Sequence, residues 1–260
     1  MKQILILTGG SSGIGKAAAQ LFAKKGFVVY ELSRSGKSYD SIIHIDCDVT
    51  DEEQVNTAVA QVVEKEGRVD ILLSNAGYGV SGAVEFVDTA DAKRQFDVNF
   101  FGSLNIVKAV LPVMRNQKQG RIVFTSSVAA VFSIPYQAFY SASKSAINTL
   151  ALALRNEVAE FGIEVTALMP GDVNTGFTAA RDKKSAGEDV YTHMPKAVET
   201  MEKDEMGGMT SEYLAGQLFK VATKRNPAPL YTAGFQYKLF LFLDRLLPKR
   251  LSNWIVGKLY

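Results

Sequence analysis

Residues 4–25 read ILILTGGSSGIGKAAAQLFAKK, in which a short apolar run meets a glycine-rich turn and then a helical pattern. Four apolar residues in succession, Ile4 to Leu7, are typical of a strand that is covered on both faces. The glycines have the spacing Gly-x3-Gly-x-Gly, which allows the backbone to turn tightly and to approach a ligand closely. The helix that follows presents free N–H groups to an anion, so the turn predicts a phosphate site, although a tight turn without a ligand would have the same residues. The residues that we predict to contact the ligand are Gly9, Ser11, Ser12, Gly13, Ile14 and Gly15.

The alternation of apolar run and helical pattern continues beyond this unit. Predicted strands cover residues 4–7, 28–32, 42–45, 71–73, 122–125 and 165–168, and predicted helices cover 14–25, 51–66, 91–117, 138–161 and 210–224. The second helix follows a capping-box pattern, in which Thr50 is the expected cap and Glu53 its partner three positions on. Such alternation predicts an α/β fold: one doubly wound Rossmann-type domain over residues 1–260, with a mostly parallel sheet and helices on both faces. Ligands of these sheets bind beyond the carboxyl ends of the strands, which is where we expect the functional residues.

The composition is that of an ordinary globular protein and excludes some classes of function. Hydrophobic residues make up 47% of the chain and charged residues 22%, and the formal net charge of +2 gives no argument for a nucleic-acid partner. The single cysteine, Cys47, excludes an internal disulfide and suits a reducing compartment. No run reaches the ~18 consecutive apolar residues that span a bilayer, and the first apolar run is too short for a secretory signal. We therefore expect a cytoplasmic protein that binds no nucleic acid.

The end of the second predicted strand indicates which dinucleotide the turn would bind. An acidic residue at this point binds ribose hydroxyls, whereas an arginine accommodates a 2′-phosphate. Counting from Gly26, the acidic position holds Ser33 and is followed by Arg34, whose guanidinium can bind a phosphate with two hydrogen bonds. Glu31 also carries a carboxylate, but it lies two residues too early, within the strand. These residues favour NADP(H) over NAD(H); the alternative is that Arg34 is an ordinary surface charge.

Two further strand ends carry residues at the expected ligand edge. Asp48-Val49 follows the third strand, and Asn75-Ala76-Gly77 follows the fourth. The Asp48 carboxylate could accept a hydrogen bond from an adenine amine. It could equally be an acidic residue that is favourable near a helix N-terminus, and the sequence leaves both interpretations open.

Candidate reacting groups lie around the helix predicted over 138–161. Tyr140 and Lys144 are four residues apart and therefore share one face of this helix. A nearby cation stabilises a phenolate, so we expect Lys144 to lower the pKa of Tyr140 from its usual ~10 and to suit it to proton transfer. Ser126 and Ser127 end the preceding strand, where a hydroxyl could hold a substrate oxygen. Asn99 lies on the helix before that strand.

These motifs, in this order, resemble those of the short-chain dehydrogenase/reductase family, and the match covers roughly residues 3–225. The matching residues are Thr8-Gly9-x3-Gly13-x-Gly15, Asp48, Asn75-Ala76-Gly77, Asn99, Ser127, Tyr140-x3-Lys144 and Pro170-Gly171-x-Val173-x-Thr175. One departure is Ser74, which stands where the family more commonly has asparagine. The resemblance implies that the cofactor is also contacted by Tyr140, Lys144, Pro170, Gly171, Val173 and Thr175.

The resemblance also implies a catalytic tetrad, which comprises Asn99, Ser127, Tyr140 and Lys144. The family places its serine thirteen residues before the tyrosine, which selects Ser127 over Ser126. Tyr140 would exchange a proton with the substrate oxygen that Ser127 holds. Lys144 would bind the nicotinamide ribose, and Asn99 would organise a proton relay through water. The hydride chemistry belongs to the cofactor, and no metal is expected, since the only histidines are His44, within a strand, and His193, in a variable segment that could line the site.

Two segments depart from the alternating pattern. Residues 175–209 are polar and irregular, and we expect them to close over the substrate; the alternative is a surface loop that tolerates its methionines. These methionines, expected to line the site, are Met194, Met201, Met206 and Met209. Residues 235–260 are aromatic, aliphatic and basic, and Pro248 predicts two short helices. This composition suits an interfacial helix at a membrane, but we favour packing on the domain or on a dimer mate, where the segment would help to wall the site.

Within the family, the pattern around Arg34, the sequence from Ser127 to Tyr140 and the extended C-terminus are most similar to the hydroxysteroid and retinol dehydrogenase branch. This predicts an NADP(H)-dependent oxidoreductase that interconverts an alcohol and its carbonyl on a bulky hydrophobic small molecule, such as a steroid, a retinoid or a lipid-like compound. Alternatives are a 3-oxoacyl thioester reductase and a non-catalytic NADP-sensing regulator, which would usually lack the tyrosine or the lysine. The helices predicted over 91–117 and 138–161 carry more apolar residues than one face needs, among them Phe96, Phe100 and Phe101, so we expect a homo-oligomer, either a dimer or a tetramer.

Overall fold

A seven-stranded sheet, in the order β11-β7-β6-β4-β1-β2-β3, forms the centre of the computed structural model, which describes residues 2–260. The strands are β1 (Ile4–Thr8), β2 (Val28–Ser33), β3 (Ile42–Asp46), β4 (Ile71–Ser74), β5 (Val80–Ser81), β6 (Gly120–Thr125), β7 (Ile163–Met169), β8 (Val173–Asn174), β9 (Asp182–Lys183), β10 (Met209–Thr210) and β11 (Leu230–Thr232). All neighbours in the large sheet are parallel, and two short pairs, β5 with β9 and β8 with β10, stand outside it. The predicted fold class, an α/β fold with a mostly parallel sheet, is confirmed. The sequence did not predict β11, which has only three residues and follows the proline-rich segment 226–229.

Ten helices surround the sheet in the described part of the chain. They are α1 (Gly13–Lys24), α2 (Glu52–Glu66), α3 (Thr89–Phe96), α4 (Gly102–Gln117), α5 (Ala138–Glu157), α6 (Phe177–Ala180), α7 (Met194–Met206), α8 (Ser211–Thr223), α9 (Phe235–Leu246) and α10 (Lys249–Leu259). The helix predicted over 91–117 is α3 and α4 joined by a π-helical turn, Asp97–Phe101. This run, Thr89–Gln117, is long and apolar enough to cross a membrane, but Ile106, Val110 and Met114 within it are buried in the core of the domain.

The two faces of the sheet bury alternate residues of each strand. In β1, Ile4 and Ile6 pack into a cluster that includes residues of α2, α4 and α5. Leu5 and Leu7 pack into a second cluster, which includes residues of α1 and α8. All four side chains are buried, which explains why the strand reads as an uninterrupted apolar run. The core therefore has two layers, one on each face of the sheet. The ends of the strands lie outside these two layers.

The predicted cap of α2 is wrong by one residue. Asp51, and not Thr50, is the N-cap, and its carboxylate accepts hydrogen bonds from the backbone N–H groups of Glu53 and Gln54. The Thr50 hydroxyl instead donates to Asp48, at 2.7 Å. Both residues are good caps, so the choice depends on this contact with the preceding turn.

Residues 175–209 are not irregular, contrary to the prediction. They contain α6 and α7 and the short strands β9 and β10, each of which pairs with another segment. Met194 and Met201 lie on the buried side of α7, whereas Met206, at its end, is exposed. The helix was missed although Met194, Ala197 and Met201 recur at the spacing of a helical face.

Candidate active site

A cavity of about 580 Å³ lies at the carboxyl ends of the strands, where ligands of parallel sheets bind. It is long enough to join the glycine turn to the candidate reacting groups, and its volume is within the usual range for small-molecule sites. The predicted residues that line it are Gly9, Ser11, Ser12, Gly13, Ile14, Ser33, Arg34, Asp48, Val49, Asn75, Ala76, Gly77, Ser127, Tyr140, Lys144, Pro170, Gly171, Val173 and Thr175. Gly15 and Asn99 do not line it.

The glycine turn holds the N-terminus of α1 open toward the cavity. Ser12 is the N-cap, but its side chain does not cap the helix, so the N–H groups of the first turn remain available to an anion. Gly9 has φ = +69°, and a Cβ atom there would lie 2.9 Å from the Ala76 Cα. Gly15 has a different role from the one predicted: a Cβ atom on it would lie 2.1 Å from the Gly9 carbonyl oxygen. Gly15 therefore allows the helix to pack against the turn and does not itself line the cavity.

Glu31 is engaged inside the protein and does not line the cavity. Its side chain is almost fully buried; one carboxylate oxygen accepts from the Gly10 N–H at 2.9 Å, and the other lies 2.5 Å from His44 Nδ1. Burial acts to lower the pKa of His44, but its carboxylate partners Asp46 and Glu31 raise it overall. His44 is therefore structural, as predicted. Arg34, in contrast, is exposed at the cavity wall and forms no ion pair within residues 2–260.

Asp48 orders the turn before α2 with one carboxylate oxygen and leaves the other without a partner in residues 2–260. Its Oδ1 accepts from the backbone N–H and the hydroxyl of Thr50, and so orders the turn before α2. Its Oδ2 accepts no hydrogen bond from residues 2–260, and the residue lines the cavity beside Val49. One oxygen thus builds the turn while the other remains available to a ligand.

Hydrogen bonds of Asn75 connect the ends of three strands, β1, β4 and β6. Its backbone N–H donates to the Thr8 hydroxyl, and its side-chain amide donates to the carbonyls of Thr8 and Gly9. Its Oδ1 accepts from the Thr125 hydroxyl at 3.1 Å. The segment Asn75-Ala76-Gly77 is therefore held rigidly between the glycine turn and the end of β6.

Tyr140 and Lys144 enter the cavity from the first turns of α5. The Lys144 ammonium donates to the Thr125 carbonyl at 2.7 Å and lies 5.8 Å from the centre of the Tyr140 ring. On the other side, the ring of Phe177 packs against Tyr140 with 5.7 Å between ring centres. Ser127 follows β6 and accepts a hydrogen bond from the Ala129 N–H, while its hydroxyl neighbours the phenol. Both serines line the cavity, but only Ser127 affects the pKa of Tyr140.

Burial dominates the pKa values of this pair. It raises the pKa of Tyr140 to about 12, and the nearby carboxylates of Glu205 and Asp172 act in the same direction, against the Ser127 hydroxyl and the Arg181 charge. Burial lowers the pKa of Lys144 to about 8. The expected net lowering of the Tyr140 pKa is therefore not found, and the cation among the main contributions is Arg181, not Lys144. At neutral pH the phenol is protonated, which is the form of a proton donor.

Asn99 positions the wall of the cavity and does not face it. It lies in the π-helical turn and is buried; its Oδ1 accepts from the Tyr78 N–H, and its Nδ2 donates to the Tyr78 carbonyl and to Ser143. Ser143 in turn donates to the Tyr140 carbonyl at 2.8 Å. Asn99 thus joins the segment after β4 to the helix that carries Tyr140.

Three residues that were not among the predicted site residues complete the far end of the cavity, and two of them belong to the segments 175–209 and 235–260, which were expected to wall the site. Asp172, Glu205 and Tyr260 line it. Behind them the buried Arg181 pairs with Glu205, and two of its guanidinium nitrogens have no partner in the described chain. Asp172 is the unassigned position within the predicted motif Pro170-Gly171-x-Val173, whereas Glu205 lies on α7, which was not predicted. His193, which could have lined the site, is exposed and lies outside the cavity.

Tyr237 attaches the C-terminal segment to this wall. Its hydroxyl donates to the Asp172 carboxylate at 2.7 Å and accepts from the Asp172 N–H. A Cβ atom on Gly171 would lie 2.1 Å from the Tyr237 ring, so the glycine is required for this contact. Within residues 2–260 the structure contains no cluster of side chains suited to a metal ion.

Comparisons with known proteins identify the family. A family model described as short chain dehydrogenase matches residues 3–186, and the chain belongs to the short-chain dehydrogenase/reductase family. The 3-ketodihydrosphingosine reductase of Bacteroides thetaiotaomicron is 39% identical over 229 residues, which cover 86% of this chain and 85% of that protein. The NADPH-dependent 3-dehydrocapnine reductase of Ornithobacterium rhinotracheale is 30% identical, and the alignment covers 94% of this chain and 94% of that protein.

Solved structures agree with this assignment. A short-chain dehydrogenase from Streptomyces avermitilis has a TM-score of 0.85 and 27% identity over 94% of this chain and 93% of its own. The structure of ElxO with NADP bound has a TM-score of 0.77 and 27% identity over 92% of this chain and all of its own. The protein is thus an oxidoreductase that acts on carbonyl or alcohol groups with a nicotinamide dinucleotide. The open helix N-terminus and the wall from Arg34 to Lys144 fit such a cofactor.

Proposed function

We propose that the protein is an NADPH-dependent reductase that converts the ketone of a bulky, lipid-like molecule into an alcohol. The observation that carries this proposal is the meeting of Tyr140 and Ser127 at one end of a cavity whose other end is the glycine turn and Arg34. The cofactor supplies the hydride when it is bound. The chain supplies the proton and the position of the substrate oxygen.

The protonated form of Tyr140 can serve the reductive direction. A phenol with a pKa of about 12 keeps its proton at neutral pH and can deliver it to a carbonyl oxygen as negative charge develops there. The neighbouring Ser127 hydroxyl can donate to the same oxygen and stabilise that charge. Phe177 covers the Tyr140 ring, which limits the access of water to the phenol.

The preference for NADPH is supported by the second strand. Ser33 and Arg34 line the cavity where a 2′-phosphate would lie, and Glu31 is withdrawn from it by Gly10 and His44. The NADP bound in the ElxO structure and the NADPH in the name of the Ornithobacterium relative point in the same direction. We therefore propose NADPH as the physiological reductant.

The substrate class is supported by the two curated relatives and by the wall of the cavity. One relative is named for reduction of 3-ketodihydrosphingosine and the other for reduction of 3-dehydrocapnine. The substrate end of the cavity combines apolar side chains, Ile134, Phe177 and Met201, with the carboxylates of Asp172 and Glu205. We propose a 3-keto lipid of the 3-ketodihydrosphingosine type.

The experiment is an NADPH oxidation assay with 3-ketodihydrosphingosine, a 3-oxoacyl thioester, a steroid ketone and retinal. We expect the highest kcat/KM with the first substrate, and Tyr140→Phe is expected to lower it by ~10²–10⁴ while NADPH binding is retained. Preference for the 3-oxoacyl thioester would establish that alternative function. NADPH binding without turnover of any ketone would indicate a regulator, and full activity of Tyr140→Phe would refute the role of the phenol.

A further inference from the structure

Helix α9 presents a continuous apolar stripe that no part of residues 2–260 covers. Its exposed residues Phe235, Leu239, Phe242, Leu243 and Leu246 follow one another at helical spacing and share one face. The opposite side of the helix is buried through Tyr237 and Asp244. The helix is therefore attached to the domain by one side and leaves a large apolar side uncovered.

Helix α10 has the same organisation. Leu251, Trp254 and Ile255 are exposed at helical spacing, Leu259 is exposed at the end of the helix, and Ser252 and Val256 are buried on the adjoining side. Together the two helices hold ten of the seventeen exposed large apolar side chains in residues 2–260. A patch of this size on a soluble protein marks an interaction surface.

An ion pair spans the turn between the two helices at Pro248. Lys249 donates to the Asp244 carboxylate at 2.5 Å, directly across the turn. Burial acts to raise the pKa of Asp244, but hydrogen bonds from Lys249 and Ser252 lower it overall, so the carboxylate stays charged and the contact persists near neutral pH. The exposed apolar residues are thus displayed by an ordered pair of helices.

The charge of this segment is strongly positive. Residues 235–260 contain five basic residues and one acidic residue, Asp244, which is paired with Lys249. The four remaining basic residues are exposed and form no ion pair within residues 2–260; they are Lys238, Arg245, Arg250 and Lys258. In α9, Lys238 and Arg245 are seven residues apart and therefore border the same side of the apolar stripe.

We propose that α9 and α10 form a docking surface for an anionic lipid bilayer. Apolar side chains enter the interfacial layer, while the four unpaired basic residues contact lipid phosphates. The helices have 12 and 11 residues, which is too short to span a bilayer, so they lie on it.

A second copy of the chain fits this surface less well than a bilayer does. A two-fold interface brings a patch against itself, so the unpaired cations of one copy would meet those of the other. An anionic bilayer neutralises the same charges. The charge of the patch therefore favours lipid over self-association. The packing on the domain that the sequence predicts accounts for the buried side of the two helices.

The docking surface is joined directly to the cavity. Tyr237, on the buried side of α9, bonds to Asp172, and Tyr260, which follows α10, lines the cavity. Docking therefore places the cavity beside the bilayer, where a lipid-like substrate is dissolved. This consequence rests on the proposed function, whereas the docking itself does not.

The experiment uses the full chain with vesicles of phosphatidylcholine alone or mixed with phosphatidylglycerol. The single tryptophan, Trp254, is 59% exposed in α10 and serves as an intrinsic probe. We expect the protein to cosediment with the anionic vesicles and its tryptophan emission to shift to the blue. High salt should weaken the binding to these anionic vesicles. Phe242→Ser and Leu246→Ser should each weaken binding about tenfold or more.

Val190→Ser is the matched control, because Val190 is 62% exposed and lies outside both helices. It should bind vesicles like the wild type, and thermal melts and NADPH binding should show that all variants are folded. Absence of vesicle binding by the wild type would overturn the proposal. So would a dimer that Phe242→Ser converts to a monomer, since a second copy would then be the occupant. No ketone is needed in this experiment, so its result is independent of the substrate assay.

Discussion

Lys144 is buried and Tyr140 is half-buried beside it, and their removal from water shifts both toward their neutral forms. A buried phenol keeps its proton to higher pH, and a buried ammonium loses its proton at lower pH. The pKa values of about 12 and about 8 therefore have one cause and opposite directions. The same environment that keeps Tyr140 protonated makes Lys144 a costly residue for the fold.

The cost of Lys144 should be visible in the pH dependence of stability. In the unfolded chain its pKa is 10.5, and in the folded protein it is about 8, so between these values only the unfolded state binds the proton. Stability from this group therefore rises with pH across that window. Compared with Lys144→Met, the wild type should gain on the order of 3 kcal/mol in unfolding free energy between about pH 7.5 and 10.5.

Urea unfolding of the cofactor-free proteins at several pH values would measure this difference. Groups other than Lys144 titrate in both proteins and cancel in the comparison. A difference that does not change with pH would show that Lys144 is not destabilised by burial.

Arg34 should determine the choice between the two nicotinamide cofactors. It is exposed at the cavity wall with no carboxylate partner in the described chain, so a 2′-phosphate would gain its hydrogen bonds at little cost. Arg34→Ala should weaken NADPH binding by roughly 10- to 100-fold and leave NADH binding almost unchanged. Lys37→Ala is the control, since Lys37 is close in sequence but does not line the cavity. Calorimetric titration would decide, and equal dissociation constants for both cofactors in the wild type would contradict the assignment.

At the scale of the elements, the cap of α2 distinguishes two neighbouring residues. Asp51 accepts two backbone N–H groups of the first turn, whereas the hydroxyl of Thr50 is used by Asp48. Asp51→Ala should lower Tm by roughly 2–4 °C at neutral pH, and Thr50→Ala should lower it less. Calorimetric melts of both variants measure this. An equal or larger loss in Thr50→Ala would favour the cap that the capping-box pattern predicts.

Much of the fold was predictable because the strands of this sheet are covered on both faces. Each of the six predicted strands is an apolar run, and each is present with bounds that differ by at most a few residues. The strand β11 was not predictable in this way, because three residues at the edge of the sheet carry little pattern. The π-helical turn was missed for another reason: it is set by contacts of Asn99 with Tyr78 and Ser143, which are distant in sequence.

The candidate site was predictable where strand ends define it, and less so elsewhere. The glycine turn, Arg34, Asp48 and Asn75 follow strands, and a parallel sheet gathers such positions at one edge. Glu205 and Tyr260 come from α7 and from the end of the chain, and only tertiary packing brings them to the cavity. The pKa shift of Tyr140 was predicted with the wrong sign because pairing with Lys144 was weighed without burial.

At the scale of the whole molecule, two separate surfaces expose apolar side chains. One is the docking surface of α9 and α10, which is bordered by unpaired cations. The other lies on the helices beside the core, where Phe101 follows Asn99 in the π-helical turn and Leu152 lies on α5. Phe100, in contrast, packs against the core, so only part of the predicted apolar excess faces outward. The second surface lies on the helices for which the sequence predicts self-association.

We predict that the protein forms a dimer through this second surface. Light scattering at micromolar concentration should give about twice the chain mass of 28.4 kDa, and Phe101→Lys combined with Leu152→Lys should reduce it to the monomer mass. Val84→Lys, a substitution of another exposed apolar residue, should leave the dimer intact. Phe101 lies in the same π-helical turn as Asn99, and Asn99 forms hydrogen bonds with Tyr78 and Ser143. The monomeric variant should therefore also lose part of its turnover. A wild type that is monomeric under these conditions would refute the prediction, and a monomeric variant with full activity would show that the interface does not support the site.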